Sequence, residues 1–84
     1  MAYKLIYTKS AFRDIQKLDT IVKRRIGKKL KTYAATPFRF AKKLSHQSIG
    51  SYRFRIGDHR VVFDIAGDTI VILQVRHRRE IYKK

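Results

Sequence analysis

No cysteine occurs in the chain, which excludes disulfide staples and thiolate metal sites. Acidic residues are scarce: six Asp and Glu stand against 21 Lys and Arg, for a formal charge of +15. Those six acids are scattered. They form no paired-carboxylate site and no His/Asp/Glu cluster with metal-ligand spacing, and the chain also lacks a glycine-rich phosphate loop. Neither a metal nor a cofactor is therefore expected. No apolar run approaches the roughly 20 residues needed to cross a bilayer. The start, Met1-Ala2-Tyr3-Lys4, enters a strand-like segment directly and lacks the layout of a secretion signal. A cytoplasmic protein without a membrane partner is the expectation.

What is abundant is positive charge. Self-repulsion on this scale costs stability, and a polyanionic or acidic partner would explain why it is kept. Nucleic acid is the first candidate, an acidic protein the second and an anionic membrane surface the third. At 84 residues there is room for one core, so residues 1–84 are expected to be a single domain. Its stability should be marginal, and a bound partner would add to it.

Periodicity divides the chain into a helical first half and a strand-rich second half. Tyr3, Leu5 and Tyr7 alternate as a first strand. Thr8 or Ser10 can cap a helix carrying Ala11, Ile15 and Leu18 at helical spacing, with Phe12 beside them. Asp19 or Thr20 opens a second helix with the apolar stripe Val22, Ile26, Leu30, Tyr33 and Ala34. Its other face bears Lys23, Arg24, Arg25, Lys28, Lys29 and Lys31, and Pro37 stops it. Residues 38–50 carry no clear period. Beyond them Tyr52, Phe54 and Ile56 alternate with Arg53 and Arg55, Gly57-Asp58 makes a turn, and Val61, Phe63 and Ile65 alternate with Arg60, Val62 and Asp64. Gly67-Asp68 is a tight hairpin signal, and Thr69 to Arg76 is the most apolar strand, expected at the centre of the sheet. The fold class is α+β: an N-terminal strand, a helical hairpin, then a three-stranded antiparallel meander, with the helices on one side of an antiparallel sheet.

Strand phase then places the chemistry. If Tyr52, Phe54, Val61 and Phe63 face the helices, Arg53, Arg55 and Arg60 project from the other face. Arg76, in phase with Gln74 and Ile72, is expected to join them. Like charges on neighbouring strands are costly unless an anion binds between them. Arginine's planar fork matches phosphate oxygens bidentately and stays charged at every relevant pH. Cleavage of RNA here would use no metal and would take the RNA's own 2′-hydroxyl as nucleophile. Proton transfer would fall to Tyr, His, Lys or Arg. His77 carries an imidazole, the side-chain type that ordinarily exchanges protons nearest neutrality, although a lone histidine among arginines is often structural. Tyr82 ordinarily titrates near about 10, and neighbouring cations would favour its phenolate. His46 and His59 lack supporting neighbours in sequence and read as structural. The basic face of the second helix, including Lys23, Arg24 and Lys28, is expected to add long-range, sequence-blind attraction to RNA or ribosome.

Three blocks carry a resemblance: Ala11-Phe12-Arg13-Asp14-Ile15-Gln16-Lys17-Leu18, then Tyr52 to Phe63, then His77-Arg78-Arg79-Glu80-Ile81-Tyr82. In that order, over nearly the whole chain, they resemble the RelE/ParE toxin superfamily, and more nearly its RelE branch of mRNA interferases. The resemblance implies the toxin of a type II toxin–antitoxin pair, monomeric alone and held inactive by an acidic antitoxin in a heteromeric complex. It further implies cleavage of mRNA in the ribosomal A site, leaving a 2′,3′-cyclic phosphate and a 5′-hydroxyl, with inhibition of translation. Arg60 matches the arginine that stabilises the transition-state phosphate, Arg76 the one that assists it or the leaving group, and Tyr82 the tyrosine in the role of general base. Arg53 and Arg55 stand where RelE has lysines, and Arg78 follows His77 as in other branches, some of which use a histidine here. The division of labour between His77 and Tyr82 stays open. Rival readings are a ParE-like inhibitor of DNA gyrase with no nuclease chemistry, a non-catalytic basic nucleic-acid-binding module, and an inactive descendant of a toxin.

Overall fold

The computed structural model describes residues 3–43 and 51–77. Among them the order is β1 (Lys4–Tyr7), α1 (Lys9–Gln16), α2 (Thr20–Ala35), α3 (Pro37–Phe40), β2 (Lys42–Lys43), β3 (Tyr52–Ile56), β4 (His59–Ala66) and β5 (Thr69–His77). The fold is α+β. The strands form one sheet in the order β1-β5-β4-β3-β2.

Local chemistry explains the boundaries. Thr8, with extended backbone, accepts a hydrogen bond from the Ala11 amide at 3.1 Å through its hydroxyl and so caps α1. Asp19 opens α2. Pro37 ends α2 and sits in the first turn of α3, where its missing amide hydrogen costs nothing. Gly57 and Gly67 turn the β3–β4 and β4–β5 hairpins at φ of 59° and 61°, a region that only glycine enters without strain.

The helices pack on one face of the sheet. Ala11, Ile26, Leu30 and Ala34 meet Phe54, Ile56, Val61, Phe63, Ile70, Ile72 and Val75 in a single buried cluster. Phe54 and Phe63 stack with centroids 4.2 Å apart, and Tyr33 tilts onto Phe54 at 5.1 Å. The segment after Pro37, which carries no clear sequence period, contributes to this. Phe40 stacks on Tyr33 at 4.2 Å, and Phe38 meets Tyr52 edge-on at 5.8 Å.

Three features depart from the sequence-based expectation. The meander is antiparallel, but β1 joins β5 in parallel, Lys4 opposite Thr69 through Tyr7 opposite Ile72. The sheet is therefore mixed. β4 holds the central place, and β5 is flanked by β1 only as far as Ile72. The third departure is a β-bulge in β5. Val62 faces Gln74 while Phe63 faces Ile72, so Leu73 is an extra residue with no partner on β4. The bulge reverses the strand's phase, which means Arg76 and Ile72 do not share a face: Ile72 is fully buried against the helices, and Arg76 points the other way. An uninterrupted two-residue period would have driven Arg76 into the core. Thr8 sits at this irregularity, its amide donating to the Ile72 carbonyl at 3.0 Å and its hydroxyl to the Leu73 carbonyl at 3.4 Å.

Candidate phosphate-binding site

On the face that the helices leave uncovered, register alone aligns three arginines. Arg55 lies opposite Arg60 across β3 and β4, and Arg60 lies opposite Arg76 across β4 and β5. Neighbouring strands run about 4.8 Å apart, so the row brings three guanidinium-bearing positions across roughly 10 Å of sheet. One step along, Lys42, Arg53, Val62 and Gln74 form the next row on the same face. Arg55 is exposed, whereas Arg53, Arg60 and Arg76 are partly buried. Lys42 belongs to the short strand β2, in the segment whose sequence carried no period, and so escaped the sequence reading.

Among the described residues, cations outnumber acids on this face. Asp64 shares it but lies four residues along β4 from Arg60, roughly 13 Å at strand spacing, beyond the screening length in physiological salt. Its carboxylate is engaged by the Ser51 amide at 2.8 Å. One carboxylate that does approach is Asp14, a residue of α1 with no role in the sequence-based expectation. Beyond Ile72 the margin of β5 runs along α1 instead of β1. There one Asp14 oxygen accepts the Val75 amide hydrogen at 3.0 Å, and the other lies 3.5 Å from the Arg76 guanidinium. Asp14 is 8% exposed. It acts as a surrogate strand partner for β5 and as an electrostatic anchor for Arg76. A single acid on a basic helix was the only available signal, and the contact spans 61 residues.

Replacing Asp14 by alanine would leave a buried amide unsatisfied and Arg76 without this partner. The expected loss is about 1–3 kcal/mol of stability. Asp14→Asn, which can still accept from Val75, should lose less. Urea denaturation of the two variants checks the order.

His77 is not brought to the arginine row. It lies opposite His59, out of phase with Arg60 and Arg76, and the two imidazoles meet edge-on with centroids 5.1 Å apart. His59 thus has the ring neighbour that sequence could not supply. Tyr82 and Arg78 lie outside the described residues, as does His46. Among the described tyrosines, burial raises the Tyr7 phenol above its ordinary pKa, so Tyr7 stays protonated near neutrality and is unsuited to a base.

The cations of α2 occupy a different surface. Arg24 and Lys28, with Lys31 and Gly27, line a shallow depression on the helical layer, with the sheet between them and the arginine row. Lys23 instead rims an apolar groove of about 270 Å³ formed with Tyr7, Phe12, Ile15, Ile26, Gly27 and Leu30. The positive charge is therefore divided between two sides of the molecule.

Residues 5–82 match the family described as the ParE toxin of the type II toxin–antitoxin system parDE. Over 91 aligned positions covering all of both chains, the sequence is 31% identical to Toxin RelG of Mycobacterium tuberculosis. Among solved structures, a chain of the RelBE2 toxin–antitoxin complex of the same organism superposes with a TM-score of 0.84 at 28% identity, covering 93% of this chain and 100% of that one. A chain of the archaeal RelE–RelB complex of Pyrococcus horikoshii gives 0.74 at 26% identity, covering 93% and 97%.

Proposed function

Since the chain belongs to the ParE toxin family of type II toxin–antitoxin systems, within the RelE/ParE superfamily, we propose that it is a ribosome-dependent, metal-free endoribonuclease that cuts mRNA and stops translation. The observation that carries this reading is the Arg55–Arg60–Arg76 row on a helix-free face. In the reaction, the 2′-oxygen bonds to the adjacent phosphorus as the bond to the 5′-oxygen breaks. A 2′,3′-cyclic phosphate and a 5′-hydroxyl result. Charge builds on the non-bridging oxygens, and Arg60, centred in the row, is placed to bind it bidentately. Arg76, anchored by Asp14, assists on the leaving-group side. Arg53, Arg55 and Lys42 hold the flanking backbone for in-line attack.

Arginine gives up a proton reluctantly, so the cations supply electrostatics and the proton moves elsewhere. Tyr82 is the proposed base; His77 pairs with His59 on the other face and is the less suited candidate. Arg24, Lys28 and Lys23 contribute attraction to ribosomal RNA, weakening as salt rises. The partner in the resting state is an acidic antitoxin, in keeping with a charge of +15 and with similar chains solved in toxin–antitoxin complexes. The active toxin is a cytoplasmic monomer.

The family description favours one rival, a ParE-like inhibitor of gyrase. Induced expression distinguishes the readings. Collapsed translation with mRNA clipped inside coding regions is the expected result. DNA-damage signalling with intact mRNA assigns the gyrase reading, and binding to ribosomes without clipping assigns a non-catalytic module.

A further inference from the structure

α1 turns Ala11 and Ile15 to the core and buries Asp14 beside them. Ser10, Arg13 and Lys17, at i, i+3 and i+7, run as an exposed polar stripe along the flank of that face. With Asp14 and Arg76 they line an open cleft of about 190 Å³ at the margin of β5. Three cations meet one carboxylate in it, and that carboxylate is already engaged by the Val75 amide and by Arg76. Arg13 and Lys17, one helical turn apart, repel each other across the mouth, an arrangement that disfavours the isolated helix. The Arg13 and Lys17 side chains are donors only, the Ser10 hydroxyl can donate as well as accept, and the one anionic group in the lining is the engaged carboxylate. The cleft is thus built to receive an anion. Arg76 is its inner wall and at the same time the end of the arginine row, which makes the two sites contiguous across the margin of β5.

We propose that this cleft is a second phosphate seat, holding the phosphodiester next to the scissile one in single-stranded RNA, with Arg13 and Lys17 as its lateral donors and Arg76 shared between the two seats. The inference rests on the nuclease reading above and extends it to how the substrate's backbone is threaded. A nucleic acid strand suits the pair of sites better than an acidic peptide does, because consecutive phosphates recur at a fixed short spacing along one chain. The lining also contains no apolar side chain to receive a peptide's hydrophobic residues.

The test uses 2′-O-methyl RNA, which cannot be cut: a dinucleotide with one phosphate and trinucleotides extended on either side with two. The wild-type chain should bind one trinucleotide roughly tenfold more tightly than the dinucleotide, the scale of one charge-assisted hydrogen bond. The double variant Arg13→Gln/Lys17→Gln should lose that gain while its affinity for the dinucleotide stays unchanged. A charge-matched control, Lys4→Gln/Arg39→Gln, removes two exposed cations that do not line the cleft and should keep the gain. A double variant that keeps it overturns the proposal, as does a wild-type chain that gains nothing from the second phosphate. Loss of binding to a hexaglutamate peptide with both RNA affinities intact would make the cleft a seat for protein carboxylates and overturn it too. Cleavage of mRNA on ribosomes, measured in parallel, separates the failures. Normal wild-type cleavage alongside any of these contrary results sinks the seat alone, and absent cleavage sinks the nuclease reading with it.

Discussion

Arg60→Ala is expected to slow mRNA cleavage by about 10²–10³-fold, the cost of removing one preorganised donor from a developing oxyanion. Arg60 occupies the middle of the row, with Arg55 on one side and Arg76 on the other, so no neighbour can take its position without moving a strand. The loss should be in the rate at saturating substrate, because charge on the phosphate grows between ground state and transition state. Arg60→Lys should recover only part of it: an ammonium is a point charge and cannot grip two oxygens in a fork. The fold should be untouched. Arg60 lies on the helix-free face between two like charges, and its removal relieves cross-strand repulsion of a few tenths of a kcal/mol. Single-turnover cleavage on mRNA-programmed ribosomes, with thermal unfolding in parallel, reads both effects. Full activity in the folded alanine variant would remove Arg60 from the site.

The largest effect on stability is expected at Phe54. Its ring is fully buried, stacked on Phe63 and touched by Tyr33, and Phe54 lies between the two arginines of β3. Phe54→Ala should cost about 3–5 kcal/mol in lost burial and in the cavity left behind. Native domains are stable by only about 5–15 kcal/mol in total, so the variant would retain a small margin or none. Denaturation in urea measures it, and a cost below about 1 kcal/mol would contradict the packing described. Arg53 and Arg55 flank Phe54 in β3, so the core and the arginine-bearing face are coupled through one strand.

Much of this arrangement was legible in the sequence, for definite reasons. Alternation in β3 and β4 put Phe54 and Val61 on one side and Arg53, Arg55 and Arg60 on the other, because a half-buried strand repeats every two residues. Thr8, Asp19, Pro37, Gly57 and Gly67 marked the boundaries through capping and backbone chemistry. The bulge was not legible. In Val71-Ile72-Leu73 every side chain is apolar, so no polar residue betrays the extra one, and a two-residue period cannot register an insertion. Arg76 was assigned to the right surface by a phase that the bulge reverses. The parallel pairing of β1 with β5 and the hold of Asp14 on Val75 are contacts between distant parts of the chain, which local periodicity does not encode. α3 and β2, with four and two residues, span about one period each, too little for a pattern to repeat, and Lys42 lies among them. His77 follows Arg76 directly, and adjacency in a strand means the opposite face, so its ring meets His59 instead of the arginine row.

The proposed cleavage, with Arg60 on the scissile phosphate, Arg76 assisting and the RNA supplying its own nucleophile, can be tested at a single atom. An mRNA bearing one 2′-deoxynucleotide at the mapped cut site should remain whole on ribosomes, while its all-ribose counterpart ends in a 2′,3′-cyclic phosphate. Scission at the deoxy position would contradict the mechanism outright.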